Sequence, residues 1–122
     1  RLMIRRPPRS TLFPYTALVR SGRAREAPKP EFGAATIELL GGGGPLFAET
    51  PTSQTVWESH NDEVIEAPPG FRVTASSESC GVQAMENKSQ DRFGLQFHPE
   101  VNDSEYGAKI FENFVEICRR AR

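Results

Sequence analysis

The chemistry-bearing residues of this 122-residue chain are few: two histidines, two cysteines and a scatter of carboxylates. His98 is followed two positions later by Glu100, with Pro99 between them. In an extended chain such a pair shares one side, because successive side chains alternate between faces. A carboxylate so placed accepts the proton of one ring nitrogen, fixes the tautomer and leaves the other nitrogen to work as a base. This is the orienting half of a nucleophile–base–carboxylate triad. Imidazole ordinarily titrates close to neutral pH, which suits proton transfer. A bare His-x-Glu triplet is commonly a surface pair, so its surroundings decide. His60 and Asp62 repeat the spacing and read equally well as a loop hydrogen-bond pair or as part of a binding site. Residue types also permit a metal site converging from His60, Asp62, His98 and Glu100.

Cys80 and Cys118 lie in no CxxC or Cys/His cluster, so neither zinc nor a disulfide framework is indicated. Each reads as a buried core thiol rather than a reactive one. A reduced, cytoplasmic setting is the default expectation. No apolar run approaches the ~20 residues that cross a bilayer. With 37% apolar and 25% charged residues, the length suits one small domain. The formal net charge of -1 conceals an asymmetry. Arg1, Arg5, Arg6, Arg9, Arg20, Arg23 and Arg25 are unaccompanied by any acid up to residue 25, and the remainder is acidic. An acidic body argues against nucleic acid as a partner.

The elements that must position these residues begin after Pro30. Glu31–Leu40 reads as a strand, followed by a flexible turn at Gly41–Pro45. Thr55–His60 reads as a second strand running into a polar loop at Asn61–Glu63. Ala67–Gly70 is a turn by composition. Phe71, Val73 and Ala75 alternate as in a half-buried strand. Val82–Glu86 is short and apolar, and Asn87–Asp91 reads as a hairpin. In Arg92–Phe97 the alternation turns Phe93, Leu95 and Phe97 inward, with Gln96, His98 and Glu100 on the other face. Ile110, Phe111, Phe114, Ile117 and Cys118 follow the spacing of one helical face. Asn102 and Glu105 form an expected cap pair at its start. Arg119, Arg120 and Arg122 stand where the helix dipole favours cations.

Residues 1–28 are expected to form a separate, non-native or disordered Arg/Pro-rich head, and 29–122 the domain. Pro7, Pro8, Pro14, Pro28 and Pro30 break any long helix there. The stretch LMIRRPPRSTLFPYTALVRS resembles translated sequencing-adapter sequence, the reading preferred over a transit peptide or a basic disordered arm.

The string GLQFHPEV (Gly94–Val101), followed by a helix, resembles the last active-site segment of the class I (triad) glutamine amidotransferases, G-[VL]-Q-[FW]-H-P-E. VWESHNDEV (Val56–Val64) and FRVTASSESCGVQAM (Phe71–Met85) resemble two segments of the glutaminase part of GMP synthases. The resemblance covers about residues 29–118 with order and spacing kept. One departure is SHND where that family has SHGD; Asn61 tolerates left-handed backbone geometry, so a turn is expected to survive there.

The resemblance implies an α/β architecture: the C-terminal, β-rich fragment of a flavodoxin-like amidotransferase domain with one terminal helix. It implies glutamine hydrolysis through a cysteine thioester, supplying ammonia for amination of XMP to GMP, a ligase reaction of purine biosynthesis. His98 would activate the cysteine and protonate the leaving ammonia, and Glu100 would orient His98. Ser59 and His60 would shape the glutamine pocket and face the synthetase unit. No cofactor or metal is implied in this part; ATP and Mg would serve a separate ATP-pyrophosphatase unit, the expected partner. The family's G-x-C-x-G-x-Q nucleophile turn is not among these residues, so the chain is expected to be truncated and inactive by itself, with apolar sheet surface exposed. The competing readings are a non-catalytic binding or regulatory domain, or another class I amidotransferase.

Overall fold

Strands β1 (Ile4–Arg5), β2 (Thr11–Phe13), β3 (Arg23–Leu39), β4 (Ser53–Glu66), β5 (Arg72–Ser76), β6 (Ala84–Asn87) and β7 (Arg92–Leu95) precede one helix, α1 (Gly107–Arg120). The computed structural model describes residues 4–5, 11–13, 23–87 and 92–120. The strands form one sheet in the order β1-β2-β7-β6-β5-β3-β4. β2 and β7 run parallel, and the other neighbours are antiparallel. The β-rich piece with a single terminal helix is as expected.

The main departure is at the long β3–β4 ribbon. β3 begins at Arg23, ahead of the expected start at Glu31, and β4 runs through Asn61–Glu63, where a loop was expected. The two extensions support each other. Ala24 pairs with Val64, Arg25 with Glu63 and Glu26 with Asp62, and the Arg25 guanidinium meets the Glu63 carboxylate at 2.9 Å. Pairing resumes at Glu31 opposite His60, with a register break in between. Pro28 and Pro30 fall within that break, where proline's missing N–H costs no ladder bond. Asn61 stands in the strand and is not among the residues with positive φ, so the expected left-handed turn is not formed. Arg23–Pro28 therefore continue the domain's strand instead of standing apart. The rest of the expected head, Ile4–Arg5 and Thr11–Phe13 aside, lies outside the described residues, as do residues 88–91 of the expected hairpin.

α1 covers one face of the sheet. Ile110, Phe114, Ile117 and Cys118 enter a core with Ile37, Leu39, Leu46, Phe47, Val56, Ala75, Ala84, Phe93 and Phe97. Burying a side chain of the Ile or Phe class contributes about 1.5–3 kcal/mol. Phe93 and Phe114 meet edge to face, with ring centres 6.2 Å apart. Asn113 donates to the carbonyls of Leu46 and Ala48, pinning α1 to the 3-10 turn Pro45–Phe47. That turn follows Gly44, which has φ 72° and sits so close to the buried Glu86 carboxylate that a Cβ would lie 2.3 Å from its Oε1. A smaller cluster of Val64, Val82 and Met85 is joined by Ala67, Phe71 and Val73. The exposed large apolar side chains among the described residues are Phe32, Leu40, Ile65 and Val115. No described helix is long and apolar enough to cross a membrane.

Candidate active site

β7 ends at Leu95, so His98 and Glu100 sit in the turn beyond the strand rather than along it. The turn still brings them together: His98 Nδ1 lies 2.9 Å from Glu100 Oε2. A carboxylate accepts, so Nδ1 is the donor of this pair, which leaves Nε2 as the nitrogen able to act as a base. Among the described residues, none pairs with Nε2. His98 is 17% exposed and Glu100 43%, which leaves the pair open to a reacting group.

What fixes this turn is the free edge of β4. The His98 N–H donates to the Trp57 carbonyl at 3.0 Å. The Glu105 N–H donates to the Thr55 carbonyl, and the Thr55 N–H donates back to Glu105 Oε1 at 2.8 Å. The expected cap pair of Asn102 and Glu105 is therefore not made: the carboxylate is taken by an edge-strand amide, and α1 starts later, at Gly107. Gly107 packs so tightly that a Cβ would stand 1.9 Å from the Pro99 carbonyl oxygen. On the inner side, Phe97 is buried against Phe47, with ring centres 6.4 Å apart. Gln96, on the other face, is buried as well. Its Nε2 donates to the Asp62 carbonyl at 3.0 Å, joining the GLQFHPE segment to the SHND segment.

His60 is buried within the ribbon. Its Nδ1 lies 2.8 Å from the Asp62 carbonyl and its Nε2 lies 3.1 Å from Glu31 Oε1 and 3.4 Å from Glu58 Oε1. All three neighbours can only accept, which favours protons on both nitrogens. Burial lowers the pKa of the ring, but Glu58, Glu31 and the Asp62 carbonyl outweigh it and raise the pKa above the ordinary value. Ser79 donates its hydroxyl to the other Glu31 oxygen. Ser59, exposed, points to the opposite face of β4, where its cross-strand neighbour is Phe32. The two expected pocket residues thus do not share a face.

Among the described residues, the one group of three or more potential metal ligands is Glu31, Glu58 and His60. The four-residue convergence of His60, Asp62, His98 and Glu100 is not formed. In the Glu31–Glu58–His60 group the ligand atoms lie within 4.8 Å of one another, and the ring is already engaged by Glu31, Glu58 and the Asp62 carbonyl. Cys80 is buried, and burial pushes its thiol up to about 12; the thiol donates to the Val82 carbonyl. Cys118 belongs to the α1 core. Both are the core thiols expected. The sequence reading missed Trp57, Ser104, Glu105 and Gly107 as supports of the site. Of these, only the glycine at a helix start carried a local signal.

The sheet, the single covering helix and the His–Glu pair just past a strand end match the C-terminal part of a glutamine amidotransferase fold. The chain belongs to the family described as glutamine amidotransferase class-I, whose pattern matches residues 15–118. It is 47% identical over 104 residues to the glutamine-hydrolyzing GMP synthase subunit of Sulfolobus acidocaldarius, covering 85% of this chain and 55% of that protein. It is 46% identical over 99 residues to the GMP synthase (glutamine-hydrolyzing) of Macrococcus caseolyticus, covering 80% of this chain and 19% of that one. Among solved structures, a protein from Thermoplasma acidophilum described as a GMP synthase subunit superposes with a TM-score of 0.79 at 40% identity, covering 83% of this chain and 50% of that chain. The chain thus spans about half the length of the glutamine-hydrolyzing subunits it matches.

Proposed function

We propose that the chain is the C-terminal part of a glutaminase that supplies ammonia to a GMP synthase. The carrying observation is the His98–Glu100 pair, with Nδ1 committed to the carboxylate and Nε2 available. In this reading His98 Nε2 takes the proton of a cysteine thiol, and the thiolate attacks the side-chain amide carbon of glutamine. The tetrahedral intermediate collapses as His98 returns that proton to the departing ammonia, leaving a thioester. His98 then deprotonates water, which attacks the thioester and releases glutamate and the thiol. Glu100 holds the ring in the productive tautomer throughout. Cys80 is unsuited to the nucleophile's role because burial holds its thiol protonated, so the nucleophile would come from outside these residues. The names of the relatives support GMP synthesis as the use of the ammonia; in this reading XMP is the molecule aminated, and ATP and Mg act in a separate synthetase unit with no cofactor in this part. Ser59, on the open face of β4, and His60, through the Glu31–Glu58 cluster, would shape the surroundings of glutamine and the synthetase contact.

The test is a segment exchange. The 104-residue stretch of the Sulfolobus acidocaldarius protein that matches this chain is replaced by this chain's own residues. Ammonia release from glutamine is measured, then amination of XMP in the presence of the synthetase unit. The expected result is a folded chimera that releases ammonia and supports amination. A folded chimera that does not hydrolyse glutamine would overturn the proposal.

A further inference from the structure

We infer that Ser104 is a positioning residue for His98, an inference resting on the reading of His98 as the base. The Ser104 hydroxyl is buried, the residue being 4% exposed, and makes two bonds in opposite senses. It accepts from the Trp57 N–H at 2.9 Å and donates to the His98 carbonyl at 2.7 Å. The Trp57 carbonyl in turn accepts the His98 N–H at 3.0 Å. A closed circuit results: both backbone groups of His98 are referred to both backbone groups of Trp57, one directly and one through a single hydroxyl. The effect is one rung of a strand ladder with an oxygen atom inserted as a spacer. This lets the chain turn away from β4 at Pro99 while His98 itself stays in register with the strand edge.

With its backbone so held, His98 has its ring direction set by its own χ angles and the bond to Glu100. The Ser104 backbone adds a second hold, since its N–H reaches the Val101 carbonyl and its carbonyl receives the Gly107 N–H. The hydroxyl is therefore delivered by a fixed turn and not by a mobile loop. Alanine at 104 would leave the Trp57 N–H and the His98 carbonyl without the hydroxyl that joins them, so the circuit would open. Threonine keeps the hydroxyl and would preserve it.

The experiment is NMR on the chain with ¹⁵N-labelled histidine, following the two imidazole rings and the Trp57 and His98 amides. His60, held by Glu31 and the Asp62 carbonyl, is the internal control. Ser104→Ala should abolish or broaden the His98 Nδ1–H signal and speed exchange of the Trp57 and His98 amides by about tenfold or more, while the His60 ring signals hold. Ser104→Thr should restore both. An unchanged His98 ring in Ser104→Ala, or equal disturbance of both rings including global unfolding, would overturn the inference. In the segment exchange, Ser104→Ala should lower kcat by about tenfold or more with little change in KM. An exchange already inactive with Ser104 in place would instead count against the glutaminase reading.

Discussion

The backbone N–H of His98 donates to the carbonyl of Trp57 at 3.0 Å, across a sequence gap that no local pattern bridges. Through that bond the turn carrying His98 and Glu100 becomes an extension of the β4 edge. The same strand carries Ser59 and His60 a few residues further on. The two motif segments are thus parts of one rigid unit, joined again where Gln96 and His60 both contact the Asp62 carbonyl.

The contact between Gly107 and Pro99 should make the first turn of α1 intolerant of any side chain. In Gly107→Ala the new Cβ would meet a backbone oxygen, which cannot swing aside as a flexible side chain would. The expected cost is about 2 kcal/mol or more, read as a lowered denaturation midpoint, together with a weakened His98–Glu100 bond by NMR. An unfolding free energy within about 0.5 kcal/mol of the parent chain's would show that the turn yields more easily than its packing indicates.

How far the site was legible in the sequence follows from the range of its interactions. His98 and Glu100 are two residues apart, and their pairing needed only local chain geometry. The apolar stripe of α1 was equally local, and Ile110, Phe114, Ile117 and Cys118 are buried together. What could not be read depends on distant partners. Glu105 resembles a capping residue until Thr55 claims its carboxylate. Asn61 resembles a turn residue until β3 extends back to Arg23 and keeps that region of β4 in the ribbon. His60 and Asp62 read equally well as a loop hydrogen-bond pair or as part of a binding site, whereas the ring lies buried in a strand, enclosed by carboxylates brought in by β3 and by β4 itself.

The His60 cluster should make stability depend on pH in a definite direction. Its folded pKa lies above the ordinary 6.5, so the native state holds the ring proton more tightly than the unfolded chain does. The stabilisation is fully present below the unfolded value and is lost as pH rises through the folded value. Denaturant unfolding of the chain and of His60→Gln at about pH 5.5, 7 and 9 should show a gap that narrows toward alkaline pH. A gap independent of pH, or one that widens, would contradict the raised pKa of the ring.

Cys80 should be inert in the native chain. With its thiol raised to about 12 by burial, its thiolate share at pH 8 is on the order of 10⁻⁴. Native-state alkylation followed by mass spectrometry should leave Cys80 unmodified over a period that fully labels a small free thiol, and denaturant should release its reactivity. Modification at the rate of an exposed cysteine would reopen its candidacy as a nucleophile.

If His98 is the base of a glutaminase and Glu100 its orienting partner, the loss of the imidazole must show in the chemical step. The measurement is steady-state glutamine hydrolysis by the segment-exchanged protein carrying His98→Gln, compared with the same protein carrying His98. We expect kcat to fall by about 10³-fold or more in a folded protein, with a smaller loss for Glu100→Gln. A His98→Gln protein that keeps kcat within about threefold of its parent would show that the proton is carried elsewhere.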